Sequence, residues 1–191
     1  MKDLGLLILR ATTGALLAGH GARKLFGVFK GPGLEGTAGM LESLEIRPGR
    51  AWAPAAGLAE FGGGLLTALG LCTPLGPVAT ISAMTMTTLT AHRGKPIWAT
   101  AGGAELPLVN IASALAIALA GPGRYSVDAA LGLRLPATLV GLAIGAAGAG
   151  MGLALAPRMR QERALRAAAA ARGGRDDQVS GIDQRARLAG A

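Results

Sequence analysis

Long apolar segments separated by short polar connections run through this chain. Five of them have the composition of membrane-spanning helices: Leu4–Phe26, Ala51–Leu71, Leu75–His92, Glu105–Ala120 and Pro136–Ala156. A helix needs about 20 predominantly apolar residues to cross the hydrocarbon core of a bilayer. The pattern therefore predicts an all-α fold, a multi-pass transmembrane helical bundle.

Glycine and proline mark the connections between these segments. Cys72-Thr73-Pro74 allows only a tight hairpin between the second and third segments. Pro96 cannot continue the third helix. The fourth segment would be roughly 24 Å long at 1.5 Å per residue, which is short for a span. We therefore expect its helix to start earlier, near Gly102-Gly103.

A polar, glycine-rich connection over residues 28–50 joins the first two segments. Apolar side chains recur within it at helical spacing, while acidic side chains face elsewhere. This pattern predicts a short amphipathic helix lying at the membrane interface. Its apolar face would hold Leu34, Ala38, Leu41 and Leu44.

The fifth segment contains no charged residue, and its glycines form a stripe of small residues suited to close helix packing. These glycines are Gly141, Gly145, Gly148 and Gly152. The sequence that follows is rich in Arg and Ala, and we expect it to be helical to about residue 171 and disordered beyond Gly174. The chain thus divides into a four-helix core over residues 1–135, a fifth transmembrane helix over 136–156 and a basic cytoplasmic tail over 157–191.

Basic residues give the chain a net charge of +8. They collect in the connections and the tail of a membrane chain, so they indicate orientation and contact with anionic lipids rather than nucleic-acid binding. Fifteen Lys and Arg residues fall on one side of the five predicted spans and three on the other. By the positive-inside rule, the N-terminus lies outside and the C-terminus in the cytoplasm.

Six ionisable residues lie within the apolar segments or at their ends. They are Arg10, His20, Lys24, Glu60, His92 and Glu105. A charge deep in a bilayer costs about 2.5–3.5 kcal/mol on insertion scales, so it needs a partner or a proton. Helical spacing puts the first three on one face of helix one. We expect all six to form one polar cluster open toward the cytoplasm, with Glu60 and Arg10 deepest.

Several kinds of site could use this cluster. A quinone needs an apolar slot, a hydrogen-bond donor for its carbonyl oxygen and a carboxylate that moves protons. A metal site of His20, His92 and Glu105, or a haem held by the two histidines, lacks close ligand spacing in the sequence. The single Cys72 leaves no CxxC motif. We therefore expect no metal site.

Each of the six residues also has a structural interpretation. Glu60 can be protonated and packed, and Arg10 can snorkel to the outer surface. His20 and His92 can cap helix ends, and Lys24 can be a positive-inside anchor. The position of Glu105 in a first helical turn is favoured by the helix dipole whatever its function.

Six separated motifs, in order along the chain, resemble those of the DoxX family of bacterial membrane proteins. They are Leu9-Arg10, His20 to Gly27, Leu34 to Thr37, Ala59 to Gly63, His92 with Gly102 to Pro107, and Gly121 to Asp128. The resemblance covers about residues 4–131 and implies a four-helix membrane core. The family is similar to DoxD, a subunit of a thiosulfate:quinone oxidoreductase, which implies membrane redox work with quinone.

These observations predict a membrane subunit of a redox system in the bacterial cytoplasmic membrane that interacts with quinone through the polar cluster. Glu60 and Glu105 would handle protons, His20 and His92 would be hydrogen-bond partners, and the remaining cations would be electrostatic supports. Two alternatives use the same residues. One is a non-catalytic scaffold that recruits soluble redox enzymes through its loops and basic tail, and the other is a transporter of a small solute or proton.

Overall fold

A computed structural model describes the backbone of residues 1–189 and the side chains of residues 1–170. Within this part of the chain every regular element is helical, as the apolar pattern predicts. The helices are α1 (Lys2–Phe26), α2 (Gly33–Ser43), α3 (Gly49–Leu69), α4 (Leu75–Thr90), α5 (Glu105–Ala120), α6 (Val127–Leu131) and α7 (Ala137–Ala189), with a 3-10 turn over Ala99–Ala101.

The five apolar segments correspond to α1, α3, α4, α5 and α7, and their starts agree within two residues. The expected start of the fourth helix near Gly102-Gly103 is wrong, because α5 begins at Glu105. Gly102 instead has a φ of 74° and ends the 3-10 turn. Gly103 lies buried against the backbone of Pro96 and Ile97, where a side chain would collide.

Among the described residues, two helical segments are long and apolar enough to cross a membrane: α1 and residues 137–170 of α7. Helices α4 and α5 have 16 residues each, roughly 24 Å at 1.5 Å per residue. Helix α3 has 21 residues, but its glycines and Glu60 lower its mean hydropathy. The composition of single helices therefore supports two spans directly.

Helices α1 and α3 form the central pair of the fold, and they run antiparallel. Gly14 of α1 lies against Gly64 and Ala68 of α3, whereas Gly21, farther along α1, lies against Phe61. A Cβ added at Gly14 would lie 2.6 Å from the carbonyl oxygen of Gly64. Glycine at these positions lets the two backbones approach closely, as in the small-residue interfaces of membrane helices.

Helix α2 packs on α3 and also contacts α1. Its buried residues are Thr37, Ala38 and Leu41, so the predicted helix with an apolar face exists. Leu34, assigned to that face, is instead exposed. The Thr37 hydroxyl contacts the carbonyl oxygens of Gly33 at 2.6 Å and Lys24 at 3.3 Å, which links α2 to the end of α1.

The described chain forms two compact units, residues 1–154 and 155–191. In the first unit, α7 contributes Ala154 to a core cluster with Ala38, Leu41, Ile46 and Ala53. The glycine stripe of α7 is not used for packing. No atom lies within 4 Å of a Cβ added at Gly141, Gly145, Gly148 or Gly152. The predicted close packing of the stripe is therefore wrong within the described chain, because α7 turns another face to its neighbours.

In the second unit, Arg158 donates to Glu162 at 3.3 Å within α7. Helix α7 continues to Ala189, so the helix does not end near residue 171 and the described backbone does not show the disorder expected beyond Gly174.

Large apolar side chains cover the outside of the helices in the first unit, while polar ones lie inside. The buried polar residues are Arg10, Thr37, Glu60, Thr67, Thr80, Thr90, Ser126 and Asp128. The exposed apolar residues include Leu16, Leu58, Leu65, Leu106, Val109, Leu119, Leu142 and Ile144. Soluble monomers rarely expose apolar surface on this scale.

Candidate functional site

A cavity of about 380 Å³ lies among α2, α3, α4 and residues 146–154 of α7. Its walls are mostly apolar and include Met40, Leu44, Trp52, Met86 and Met151. The polar residues of its lining are Lys24, Glu60, Ser82, Thr87 and Thr90. It combines the size and apolar lining of a small-molecule site with a few polar groups that could orient a ligand.

One ion pair lies in the cavity wall. Lys24 Nζ is 2.5 Å from Glu60 Oε1, and the two side chains are 21% and 5% exposed. Lys24 is in the last turn of α1, and Glu60 is near the middle of α3. The antiparallel packing brings them level, since Gly57, one turn before Glu60, lies against Leu25. Glu60 therefore pairs with Lys24 and not with Arg10.

The second carboxylate oxygen of Glu60 is the exceptional atom of this site. Glu60 Oε2 is buried and has no hydrogen-bond partner among the described residues. A buried acceptor left without a donor costs about 1–3 kcal/mol, and more when it is charged. Because Glu60 lines the apolar cavity, a ligand that carries a hydrogen-bond donor could satisfy this oxygen.

The hydroxyl groups of the cavity cannot supply that donor as they stand. Ser82 donates to Val78 O at 2.8 Å, Thr87 to Ala83 O at 2.9 Å and Thr90 to Met86 O at 2.7 Å. Each hydroxyl has one hydrogen, and a helical Ser or Thr commonly uses it on the carbonyl four residues earlier. The cavity thus offers a ligand one cation, one unmatched carboxylate oxygen and otherwise apolar surface.

Arg10 lies in a different place, at the end of the bundle where α1 begins. It is 2% exposed, and its guanidinium donates to the carbonyl oxygens of Ala68, at 3.0 Å, and Tyr125. Fourteen residues separate it from Lys24 on the same helix, roughly 21 Å at 1.5 Å per residue. Arg10 therefore does not belong to the cavity.

Asp128 completes this second polar group, which we call the Arg10–Asp128 cluster. Its two carboxylate oxygens accept from the backbone N–H groups of Cys72 and Thr73, each at 2.8 Å, and it interacts electrostatically with Arg10. Sequence reasoning did not select Asp128 as a site residue, although the motif Tyr125-Ser126-Val127-Asp128 was available as a signal. The cluster ties α1 to the α3–α4 turn and α6.

His92 and Glu105 both bind the connection between α4 and α5. His92 Nδ1 is 2.7 Å from Gly102 O, and Glu105 Oε2 accepts from Ala99 N at 2.8 Å. Neither residue lines the cavity. His20 is exposed and does not line it either. The structure does not bring His20, His92 and Glu105 together, so the roles expected for them with quinone stay predictions.

The expected single cluster of six residues is therefore wrong as an arrangement. The structure brings Lys24 and Glu60 together. It places Arg10 and Asp128, which interact electrostatically, at the opposite end of α1, and it leaves His92 and Glu105 at the connection between α4 and α5. Within the described residues, no group of three His, Cys, Asp or Glu side chains is close enough to hold a metal ion. His20, His92 and Glu105 are thus not assembled as ligands.

The remaining wall residues were not identified from the sequence. Trp52, Met86 and the α2 residues Met40 and Leu44 occupy ordinary apolar positions, and periodicity does not show which apolar residues border a cavity. Only the buried carboxylate of Glu60 gave a signal, since a lone charge in an apolar helix requires an explanation.

Comparison with known proteins gives one match. The family model DoxX matches residues 5–93, a segment that contains α1 to α4 and both partners of the ion pair. No curated protein and no solved structure shows significant similarity to the chain. The motifs from Gly102 to Asp128 lie beyond the matched segment. The family indicates a membrane protein and leaves its reaction open. Residues 5–93 of this chain match the DoxX domain, and this match supports membership of the DoxX family.

Proposed function

We propose that this chain is a multi-pass subunit of a redox system in the bacterial cytoplasmic membrane, and that it binds a quinone-type carrier in the cavity beside Lys24 and Glu60. The observation that carries the proposal is that Glu60, whose Oε2 has no hydrogen-bond partner among the described residues, lines an otherwise apolar cavity. Of the six ionisable residues, Lys24 and Glu60 line the cavity.

The distribution of side chains supports a bundle of five spans. Leucines and other large apolar residues cover the outside of α1, α3, α5 and the first part of α7, while the charged residues Lys24 and Glu60 are paired inside. Water would penalise such an outer surface, whereas lipid accepts it. The short helices α4 and α5 are then accommodated by local thinning of the bilayer.

The cavity fits the chemistry of a quinone. Its volume of about 380 Å³ lies in the range of sites that hold drug-sized molecules, about 300–1,000 Å³. Lys24 Nζ can donate to a quinone carbonyl oxygen, and Glu60 Oε2 can accept from the hydroxyl of the reduced form. A bound quinone would supply two-electron chemistry, while Lys24 and Glu60 would orient the ring and receive or deliver its proton.

The proposed orientation puts this site near the cytoplasmic leaflet. With the N-terminus outside, α1 runs inward and ends beside the cavity at Lys24. The basic residues of the tail then face the cytoplasm, where they could contact anionic lipids or soluble redox proteins. We propose that such a protein exchanges electrons with the bound carrier.

The chain offers an internal optical test, since it has two tryptophans. Trp52 lines the cavity, and Trp98 is 64% exposed on the α4–α5 connection. A short-chain benzoquinone added to a Trp98→Phe variant in lipid nanodiscs should quench the emission of Trp52 saturably. In the matched Trp52→Phe variant the remaining Trp98 does not line the cavity. Its quenching therefore measures only quinone that is dissolved in the lipid. Equal, non-saturating quenching of the two variants would refute the site.

Removal of residues 158–191 separates this proposal from the scaffold alternative. A carrier-binding subunit should keep saturable quenching of Trp52 without its tail, because the cavity lining ends at Ala154. A scaffold that works only through its tail should lose its partner and show no quenching in either form.

A further inference from the structure

We infer that the cavity discriminates between the two redox forms of its ligand and prefers the reduced form, which carries a hydroxyl group. This inference rests on the proposed function and adds the form of the carrier that the site recognises. It follows from the hydrogen-bond inventory of the Lys24–Glu60 pair.

Only one of the two carboxylate oxygens of Glu60 has a hydrogen-bond partner among the described residues. Glu60 Oε1 accepts from Lys24 Nζ, but Oε2 accepts from no described group. The hydroxyl hydrogens of Ser82, Thr87 and Thr90 are used on their own helix. An ammonium has three hydrogens, so Lys24 can still donate to a ligand, whereas Glu60 as a carboxylate can only accept.

The two forms of a quinone meet these requirements differently. The oxidised form has carbonyl oxygens, which can accept from Lys24 but leave Oε2 without a donor. The reduced form has phenolic hydroxyls, and one hydroxyl can donate to Oε2 while its oxygen accepts from Lys24. Only the reduced form therefore satisfies both members of the pair.

A ligand that fills the cavity excludes water from it, so the ligand itself must supply the donor for Oε2. The other lining residues include Ala55, Ala56, Ala59 and Ala83, whose side chains have no donor. Because a buried charged acceptor without a donor is costly, we expect about a tenfold to hundredfold preference for a hydroxyl-bearing ligand. A ligand that fills the cavity without donating should bind more weakly.

A pair of redox-inert ligands tests this preference without electron transfer. A 4-alkylphenol and its methyl ether have the same tail and ring, and they differ in one O–H group. In Trp98→Phe nanodiscs we expect the phenol to compete with the short-chain benzoquinone at least about tenfold more tightly than the ether. The same assay under anaerobic conditions should rank the hydroquinone above the quinone.

Glu60→Gln supplies the corresponding variant. With Lys24 bound to the oxygen of the introduced amide, the amide nitrogen would present an N–H group to the ligand, so the phenol preference should fall to about one or reverse. Glu35→Gln, on the exposed face of α2, is the matched control and should keep the wild-type ratio. If Glu60→Gln fails to fold, the comparison of phenol and ether on the protein with Glu60 intact still tests the inference.

A second readout is the potential of the bound carrier. Tighter binding of the reduced form raises the midpoint potential of the couple, by about 30 mV for each tenfold difference in affinity. Equal affinities for phenol and ether, or a lowered potential, would overturn this inference and leave the proposed function intact. Absence of saturable Trp52 quenching by either quinone form would overturn the proposed function itself.

Discussion

A single carboxylate determines the chemistry of the cavity. Glu60 is 4% exposed and is held by one ammonium group. Removing two charges from water is expensive, and their attraction repays this cost only when the geometry is good and the remaining lone pairs are satisfied. The Lys24–Glu60 pair meets the first condition and not the second, so it is better suited to binding than to stability.

Loss of the Lys24 charge should destabilise the fold more than loss of the Glu60 charge. Lys24→Met leaves the carboxylate buried without compensation, and we expect the free energy of unfolding to fall by about 3 kcal/mol. Glu60→Gln should cost less, because the partly exposed Lys24 can move its ammonium toward solvent. Unfolding in mixed micelles, followed by circular dichroism, measures both.

The double variant Lys24→Met/Glu60→Gln serves as the control for this pair. It contains no unpaired charge, so it should regain most of the stability that Lys24→Met loses. If Glu60→Gln is as unstable as Lys24→Met, the burial of the carboxylate is not the cause.

Arg10 should act mainly as a structural residue. Its guanidinium binds carbonyl oxygens on two separate elements, and removing it leaves buried acceptors unpaired. We expect Arg10→Met to lower the free energy of unfolding by about 3 kcal/mol. Arg10→Lys should be intermediate, because an ammonium lacks the planar arrangement of donors of a guanidinium.

The exposed Arg23 provides a control, since Arg23→Met should change stability by less than about 0.5 kcal/mol. Saturable Trp52 quenching in Arg10→Lys would agree with a role outside the cavity.

At the scale of elements, the close α1–α3 contact positions the ion pair. Gly14 and Gly64 lie where the helices touch, and the pair lies beyond this contact toward the end of α1. Since a helix rises about 1.5 Å per residue, the antiparallel register fixes which residue of α1 is level with Glu60. The glycines therefore determine the partner of the carboxylate as well as the packing.

Gly64→Ala should separate the two helices. A Cβ at this position would lie 2.6 Å from Gly14 O and 2.9 Å from the Cα of Ala18, and backbone cannot move away as a flexible side chain can. We expect a loss of about 1–3 kcal/mol in the free energy of unfolding, together with weaker ligand binding. Gly62→Ala is the matched control, because its Cβ would meet no atom within 4 Å. Equal effects of the two variants would contradict the close contact.

Sequence reasoning predicted the helices well and their mutual arrangement poorly. Apolar length and the Gly/Pro signals located five helices, because those signals are local. The partner of Glu60 could not be assigned from the sequence, because it depends on the register between helices, which no local pattern encodes. His20 shares a face with Lys24 by spacing, yet it is exposed, since spacing does not show how wide the buried face is.

At the scale of the whole molecule, orientation in the membrane is the main expectation still to be measured. Lys30 and Arg134 are exposed and are predicted to lie on the cytoplasmic and outer sides respectively. In a Cys72→Ser background, Arg134→Cys should react with an impermeant maleimide in intact cells. Lys30→Cys should react only after the membrane is opened, and the reverse pattern would contradict the proposed topology.

The Arg10–Asp128 cluster bears on where a minimal version of this protein can be cut. The family match stops at residue 93, but Arg10 donates to the carbonyl oxygen of Tyr125 and interacts electrostatically with Asp128. A shortened gene product ending at the family boundary would keep the guanidinium and discard its counter-ion. The autonomous folding unit must therefore reach at least Asp128, well past the point where family similarity alone would place its border.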